Sequence, residues 1–165
     1  MDVWNVCSMA IEIERKFLLK DDSWKLEAVS GVQFCQGYLS ESGPGSVRIR
    51  IEGELANINI KSATLDMQRM EYEYEIPLSD AREMLDQLCI KPLIEKQRFH
   101  VTYKNKLWEI DVFEGDNQGL IVAEVELNNK NESIELPAWV GDEVTDDTRY
   151  YNVCLIKHPY KDWNQ

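Results

Sequence analysis

Apolar and polar residues alternate with a period of two through most of this chain, the mark of strands whose two faces meet different surroundings. Ile11-Glu12-Ile13-Glu14-Arg15-Lys16-Phe17 sets Glu12, Glu14 and Lys16 on one side and Ile11, Ile13 and Phe17 on the other. Val47 to Ile51 places Arg48 and Arg50 opposite three β-branched residues, and Asn57 to Lys61 places Lys61 opposite Ile58 and Ile60. Glu71, Glu73 and Glu75 share a face until Pro77 ends that strand. Farther on, Lys96, Arg98 and His100 align, and a turn at Asn105 leads to Glu109 and Asp111 as a hairpin. After the turn-rich stretch Gly115 to Gly119, Glu124 and Glu126 alternate with Ala123, Val125 and Leu127. About eight strands are predicted. One helix interrupts them, with Ser79 as its N-cap and Ala81, Met84, Leu85 and Leu88 at helical spacing before Lys91-Pro92. Residues 128–146 read as polar loop, and 147–156 as a final helix carrying Tyr151, Cys154 and Leu155 on or near its apolar side.

Eight antiparallel strands with short connections predict a mainly β, α+β domain: a closed barrel with helices packed outside. Alternating strands usually turn the charged face to water. Here, however, cation-rich strands (Arg48, Arg50; Lys96, Arg98) are sorted from anion-rich ones (Glu71, Glu73; Glu124, Glu126), and the opposite faces hold enough Ile, Tyr, Trp and Val to pack under two helices. The charged faces are therefore expected to line a lumen. A lumen of mixed charge suits a polyanion delivered with a divalent cation: Arg and Lys neutralise phosphate oxygens, while carboxylates hold a hard metal ion. Without the metal, clustered glutamates would raise one another's pKa values.

Composition narrows the partners. Lys and Arg total 18 against 30 Asp and Glu among 165 residues, a formal charge of −12, which argues against nonspecific binding to nucleic acid or to an anionic membrane. No apolar run approaches the roughly 18 residues of a membrane span, and the start lacks a signal-peptide pattern, so a cytoplasmic protein is expected. Cys7, Cys35, Cys89 and Cys154 lie far apart with no Cys-x-x-Cys pair, against both zinc and a disulfide framework. Met1 to Ser8 carries no pattern and reads as an N-terminal extension, disordered or produced by an upstream start, before a single domain over 9–165.

Glu12-Ile13-Glu14-Arg15-Lys16 matches an E-x-E-x-K signature. It is followed in order by Gln36-Gly37-Tyr38-Leu39, Val47-Arg48-Ile49-Arg50, Ile60-Lys61, Arg69 to Glu75, Lys96 with Arg98, Trp108 to Phe113, Ala123 to Leu127 and Arg149-Tyr150-Tyr151-Asn152. In this set the chain resembles the CYTH domain of the triphosphate tunnel metalloenzyme family, closest to its short bacterial inorganic triphosphatases. The resemblance implies an eight-stranded tunnel and metal-dependent hydrolysis of tripolyphosphate to diphosphate and phosphate, with Mg²⁺ or Mn²⁺. It implies metal binding by Glu12, Glu14, Glu124 and Glu126, with Asp111 as a further candidate, and phosphate binding by Lys16, Arg48, Arg50, Lys61, Lys96 and Arg98. Glu71 and Glu73 fall on a second acidic strand that would hold another metal or orient the cations, and Tyr38 either positions Lys96 or packs in the core. Glu126 or a neighbour would take the proton of the attacking water, and Lys96 and Arg98 would stabilise charge at the reacting or leaving phosphate. The alternatives are a class IV adenylate cyclase making cyclic AMP, a thiamine or nucleoside triphosphatase, and a noncatalytic polyphosphate sensor; the chain is expected to act as a monomer or homodimer.

Overall fold

A computed structural model describes residues 10–63 and 68–163; the expected extension over 1–8 lies outside them. Nine strands occur among the described residues: β1 (Ala10–Leu19), β2 (Val32–Ser40), β3 (Gly45–Glu52), β4 (Leu55–Ser62), β5 (Gln68–Glu75), β6 (Ile90–Tyr103), β7 (Lys106–Phe113), β8 (Ile121–Glu126) and β9 (Val140–Glu143). All pairings are antiparallel, in the order β5-β4-β3-β2-β6-β7-β8-β1-β9. Strand β5 also meets β1, from Ala10 opposite Glu71 to Ile13 opposite Gln68, so the sheet returns on itself over that short ladder rather than along its full height.

Alternation decides which face is covered. Helix α1 (Leu78–Gln87) lays Ala81 and Leu85 on the outward residues Ile49 and Ala56, with Cys35, Leu39, Ile51 and Ile58 around them. Around the other side Phe17, Val101, Trp108, Ile110 and Val125 pack beneath Trp24 and Trp139, whose indole meets Trp108 edge-on at 5.5 Å. Burying apolar side chains outside the barrel wall contributes roughly 1.5–3 kcal/mol each. It leaves the inward positions free for charge.

Four expectations need correction. The loop predicted over 128–146 contains β9, which is four residues long and too short to show a period; its neighbourhood is fixed by backbone bonds to β1, Lys20 N–H to the Trp139 carbonyl at 2.8 Å and Val144 N–H to the Lys16 carbonyl at 2.8 Å. The helix predicted over 147–156 is broken: a 3₁₀ turn at Thr148–Tyr150, then α2 (Asn152–Leu155), with Tyr151 extended between them. The break has a cause, because the Tyr151 hydroxyl donates to the Thr145 carbonyl at 3.0 Å and ties that residue inward. Helix α1 starts one residue after Pro77, whose fixed φ suits a helix start, and Ser79 lies inside the first turn instead of capping it. Its last helical residue is Gln87, and β6 already includes Lys91-Pro92, so that pair sits in a strand and does not close the helix. No helix among the described residues is long and apolar enough to cross a membrane.

Candidate functional site

The inward residues enclose a lumen of about 650 Å³ lined by Glu12, Glu14, Lys16, Arg48, Arg50, Lys61, Glu71, Glu73, Lys96, Arg98, Glu109, Glu124 and Glu126. Of the residues expected at the site, only Asp111 is missing from this lining. It lies behind it.

The half built by β6, β7, β8 and β1 is a buried ionic web. Register sets Arg98 directly opposite Asp111, and the guanidinium donates from Nε and Nη2 to the two Asp111 oxygens, each at 2.7 Å, while Lys96 Nζ donates to the same carboxylate. Asp111 is 1% exposed and both its oxygens accept from Lys96 and Arg98, so it anchors these two cations. Glu124 accepts from Arg98 Nη2 at 3.0 Å and from Lys16, which also meets Glu14 at 2.8 Å. Glu109 pairs with Arg98 and lies 3.4 Å from His100 Nε2. Burial opposes ionisation of Glu124, but Lys16, Arg98 and Lys96 outweigh it and hold the carboxyl well below the usual range. Burial likewise opposes charge on Lys16, which Glu124 and Glu14 restore and carry above its ordinary value. Lys96 goes the other way. Its burial, together with nearby Arg98, outweighs an Asp111 charge already shared, and the ammonium falls to about 8.

The half built by β3, β4 and β5 is looser. Arg50 Nη2 donates to Glu73 at 2.9 Å, Arg48 stands 3.7 Å from Glu71, and Lys61 bridges Glu12 at 2.7 Å and Glu71 at 3.0 Å. Asn59, wholly buried beneath them, donates to Glu71 at 3.0 Å and to Glu73. These two acids thus meet basic and amide donors, the geometry of side chains that orient cations. Arg48 Nε and Arg50 Nε are buried with no hydrogen-bond partner.

At one edge of the lumen like charges face each other. Register sets Glu14 opposite Glu126 and Glu109 opposite Glu124, arrangements that are unfavourable in a sheet. Burial, and then the charges of Glu12, Glu109 and Glu14, raise the Glu126 carboxyl above its ordinary value. Among the described residues no three His, Cys, Asp or Glu side chains converge into a ready-made metal cluster. The donor chemistry nevertheless fits a hard cation: several carboxylates, mutually repelling, beside a polar lumen.

On the inward face of β2, Phe34, Gln36 and Tyr38 form an uncharged strip between two cation-bearing strands; Tyr38 was expected there, whereas Phe34 and Gln36 were not singled out as site residues. Gln36 is 1% exposed and its Nε2 has no partner. Tyr38 lines the lumen and packs with Ile94 and Phe113, so wall and lumen roles coincide in it. The C-terminal turn, expected outside, also reaches the lumen: the Tyr151 ring stands 5.3 Å from Lys16 Nζ, and Lys157 bonds Glu41 at 2.6 Å, both of them lining residues. Only the Tyr-Tyr-Asn run pointed there in the sequence.

Fold and site together define a class of protein: a rolled antiparallel sheet that encloses interleaved acids and bases where most barrels enclose apolar side chains. The chain belongs to the CYTH-domain family, whose model matches residues 10–154. It is 42% identical over 157 residues to the inorganic triphosphatase of Acetivibrio thermocellus, covering 95% of this chain and all of that protein. It is 33% identical over 148 residues to the inorganic triphosphatase of Nitrosomonas europaea, covering 87% and 95% of the two chains. The crystal structure of the inorganic triphosphatase NE1496 superposes with a TM-score of 0.63 at 31% identity, over 87% of this chain and 96% of that one.

Proposed function

We propose that this protein hydrolyses inorganic tripolyphosphate to diphosphate and phosphate inside the lumen, using Mg²⁺ or Mn²⁺. The observation that carries the reading is that six cationic side chains, Lys16, Arg48, Arg50, Lys61, Lys96 and Arg98, line one cavity together with the carboxylates Glu12, Glu14, Glu124 and Glu126. The cations offer phosphate oxygens charge-assisted donors, and the carboxylates offer a hard metal ion its oxygen ligands. Two relatives covering nearly the whole chain carry the same activity in their names.

Phosphoryl transfer asks little covalent chemistry of a protein: it needs alignment and neutralisation of charge. Arg48, Arg50 and Lys61 take the phosphate chain from one side and Lys16, Lys96 and Arg98 from the other. Glu12, Glu14 and Glu126 are the carboxylates that would hold the metal, with Glu124 beside them. When bound, the ion supplies Lewis-acid neutralisation of phosphate oxygens and a more acidic water. Glu126 lines the lumen beside the other carboxylates and is the residue that would take the proton of the attacking water. Lys96 and Arg98, fixed on a common Asp111, stabilise charge at the reacting or leaving phosphate. Free thiols at Cys35, Cys89 and Cys154 agree with work in a reducing cytoplasm.

Phosphate release from tripolyphosphate and ATP in parallel, with Mg²⁺, with Mn²⁺ and with chelator, is the test. Metal-dependent release faster from tripolyphosphate is expected, and Glu126→Gln is expected to lower kcat by about a hundredfold or more in a folded protein. Cyclic AMP formed from ATP would move the site to cyclase chemistry. No turnover of any triphosphate would overturn the reading.

A further inference from the structure

We propose that Phe34 is a positioning residue: a π platform that holds Arg50, Lys96 and Arg98 at the lumen without consuming their N–H donors. The inference rests on the tripolyphosphate reading and deepens it. Arg98 Cζ lies 5.1 Å from the Phe34 ring centroid, Arg50 Cζ 5.6 Å and Lys96 Nζ 5.9 Å. The ring is 2% exposed and lines the cavity.

Strand order explains why a ring is needed there. β2 lies between β3, which carries Arg50, and β6, which carries Lys96 and Arg98, so cations converge on this position from both sides. Asp111, Glu109 and Glu124 already take most of the Lys96 and Arg98 donors, and a further carboxylate at position 34 would repel a polyphosphate and take the donor that Arg50 keeps free. An aliphatic residue would fill the space and leave the cations to repel one another across it. The negative face of an aromatic ring attracts cations by its quadrupole, most strongly when water is excluded, and accepts no conventional hydrogen bond. Arg50 Nε, buried and without a partner, fits that arrangement. Phe113, 5.4 Å from Lys96 Nζ, backs the same ammonium from the other side.

Replacement of Phe34 by 4-fluoro-, difluoro- and pentafluorophenylalanine nearly keeps its shape and progressively reverses the potential of its face. Tripolyphosphate binding by calorimetry and kcat/KM are both expected to fall stepwise, by on the order of tenfold across the series, with the melting temperature nearly constant. Phe34→Leu should resemble the most fluorinated form. A series flat in binding and turnover overturns the platform, as does a loss in Phe34→Leu without any dependence on fluorine, which would mean packing alone. Wild-type protein that binds tripolyphosphate without hydrolysing it ends the enzymatic reading, while the binding series still decides the role of Phe34. Wild-type protein that neither binds nor hydrolyses it overturns both.

Discussion

The two halves of the lumen carry similar cations in different states of readiness. Lys96 and Arg98 are tied to a carboxylate that is almost completely buried, and Glu124 cross-links Arg98 to Lys16. Across the lumen, Arg48 and Arg50 keep buried N–H groups unpaired, Arg48 stands 3.7 Å from its acid Glu71, and the Glu73 side chain that pairs with Arg50 is 43% exposed. The first half is a finished structure that fixes charge in one geometry. The second holds donors in reserve. A polyphosphate entering between them therefore gains precision from one side and unspent hydrogen bonds from the other.

Asp111→Asn is the strongest test of that contrast. It leaves two buried cations without their shared anion, and removing one partner of a buried pair typically costs about 3–5 kcal/mol. In a chain of this size such a loss lowers the melting temperature by roughly 10 °C. A thermal scan showing little change would mean that Glu109 and Glu124 suffice, and the anchored half would be no more rigid than the other.

The next effect is one of pH. Lys96 falls to about 8 because burial and Arg98 disfavour its charged form, whereas the arginines of the opposite half stay protonated. The ammonium is present below that value and lost above it, so the cation needed for phosphate disappears as pH rises. The profile of kcat/KM, which reports the free enzyme, is expected to show an alkaline limb with a midpoint near 8. Lys96→Arg should remove that limb even where it lowers the rate. A limb unchanged in Lys96→Arg would assign the titration to another group.

Much of this was legible in the sequence, and the gaps are instructive. Strand faces were readable because a period of two needs only a few residues to show itself, and the sorting of Arg48 and Arg50 from Glu124 and Glu126 pointed to charge inside. Register was not readable: nothing in the order of residues says that Arg98 stands opposite Asp111, the pairing that makes Asp111 an anchor for Arg98 and Lys96. Tyr38 was legible beside Lys96, but Phe34 and Gln36 escaped as site residues because an uncharged inward strip looks like any wall residue until its neighbours on both sides are known. The C-terminal segment misled for a local reason, since Tyr151 leaves the helical path to reach Thr145, a contact made in three dimensions.

Glu73→Gln is the mildest and most discriminating substitution. Glu73 accepts from Arg50 at 2.9 Å and from Asn59, and at its exposure the ion pair is worth less than about 1 kcal/mol. Gln keeps the size and one acceptor, so the melting temperature should move by no more than about 2–4 °C. If Glu73 only orients Arg50, KM for tripolyphosphate should change by less than about threefold and the metal dependence should stay as it is, because the guanidinium remains within reach of substrate. A collapse of kcat together with a raised metal requirement would instead put a second cation on the Glu71 and Glu73 strand. In that case the half of the lumen that looks uncommitted would be the one waiting for metal.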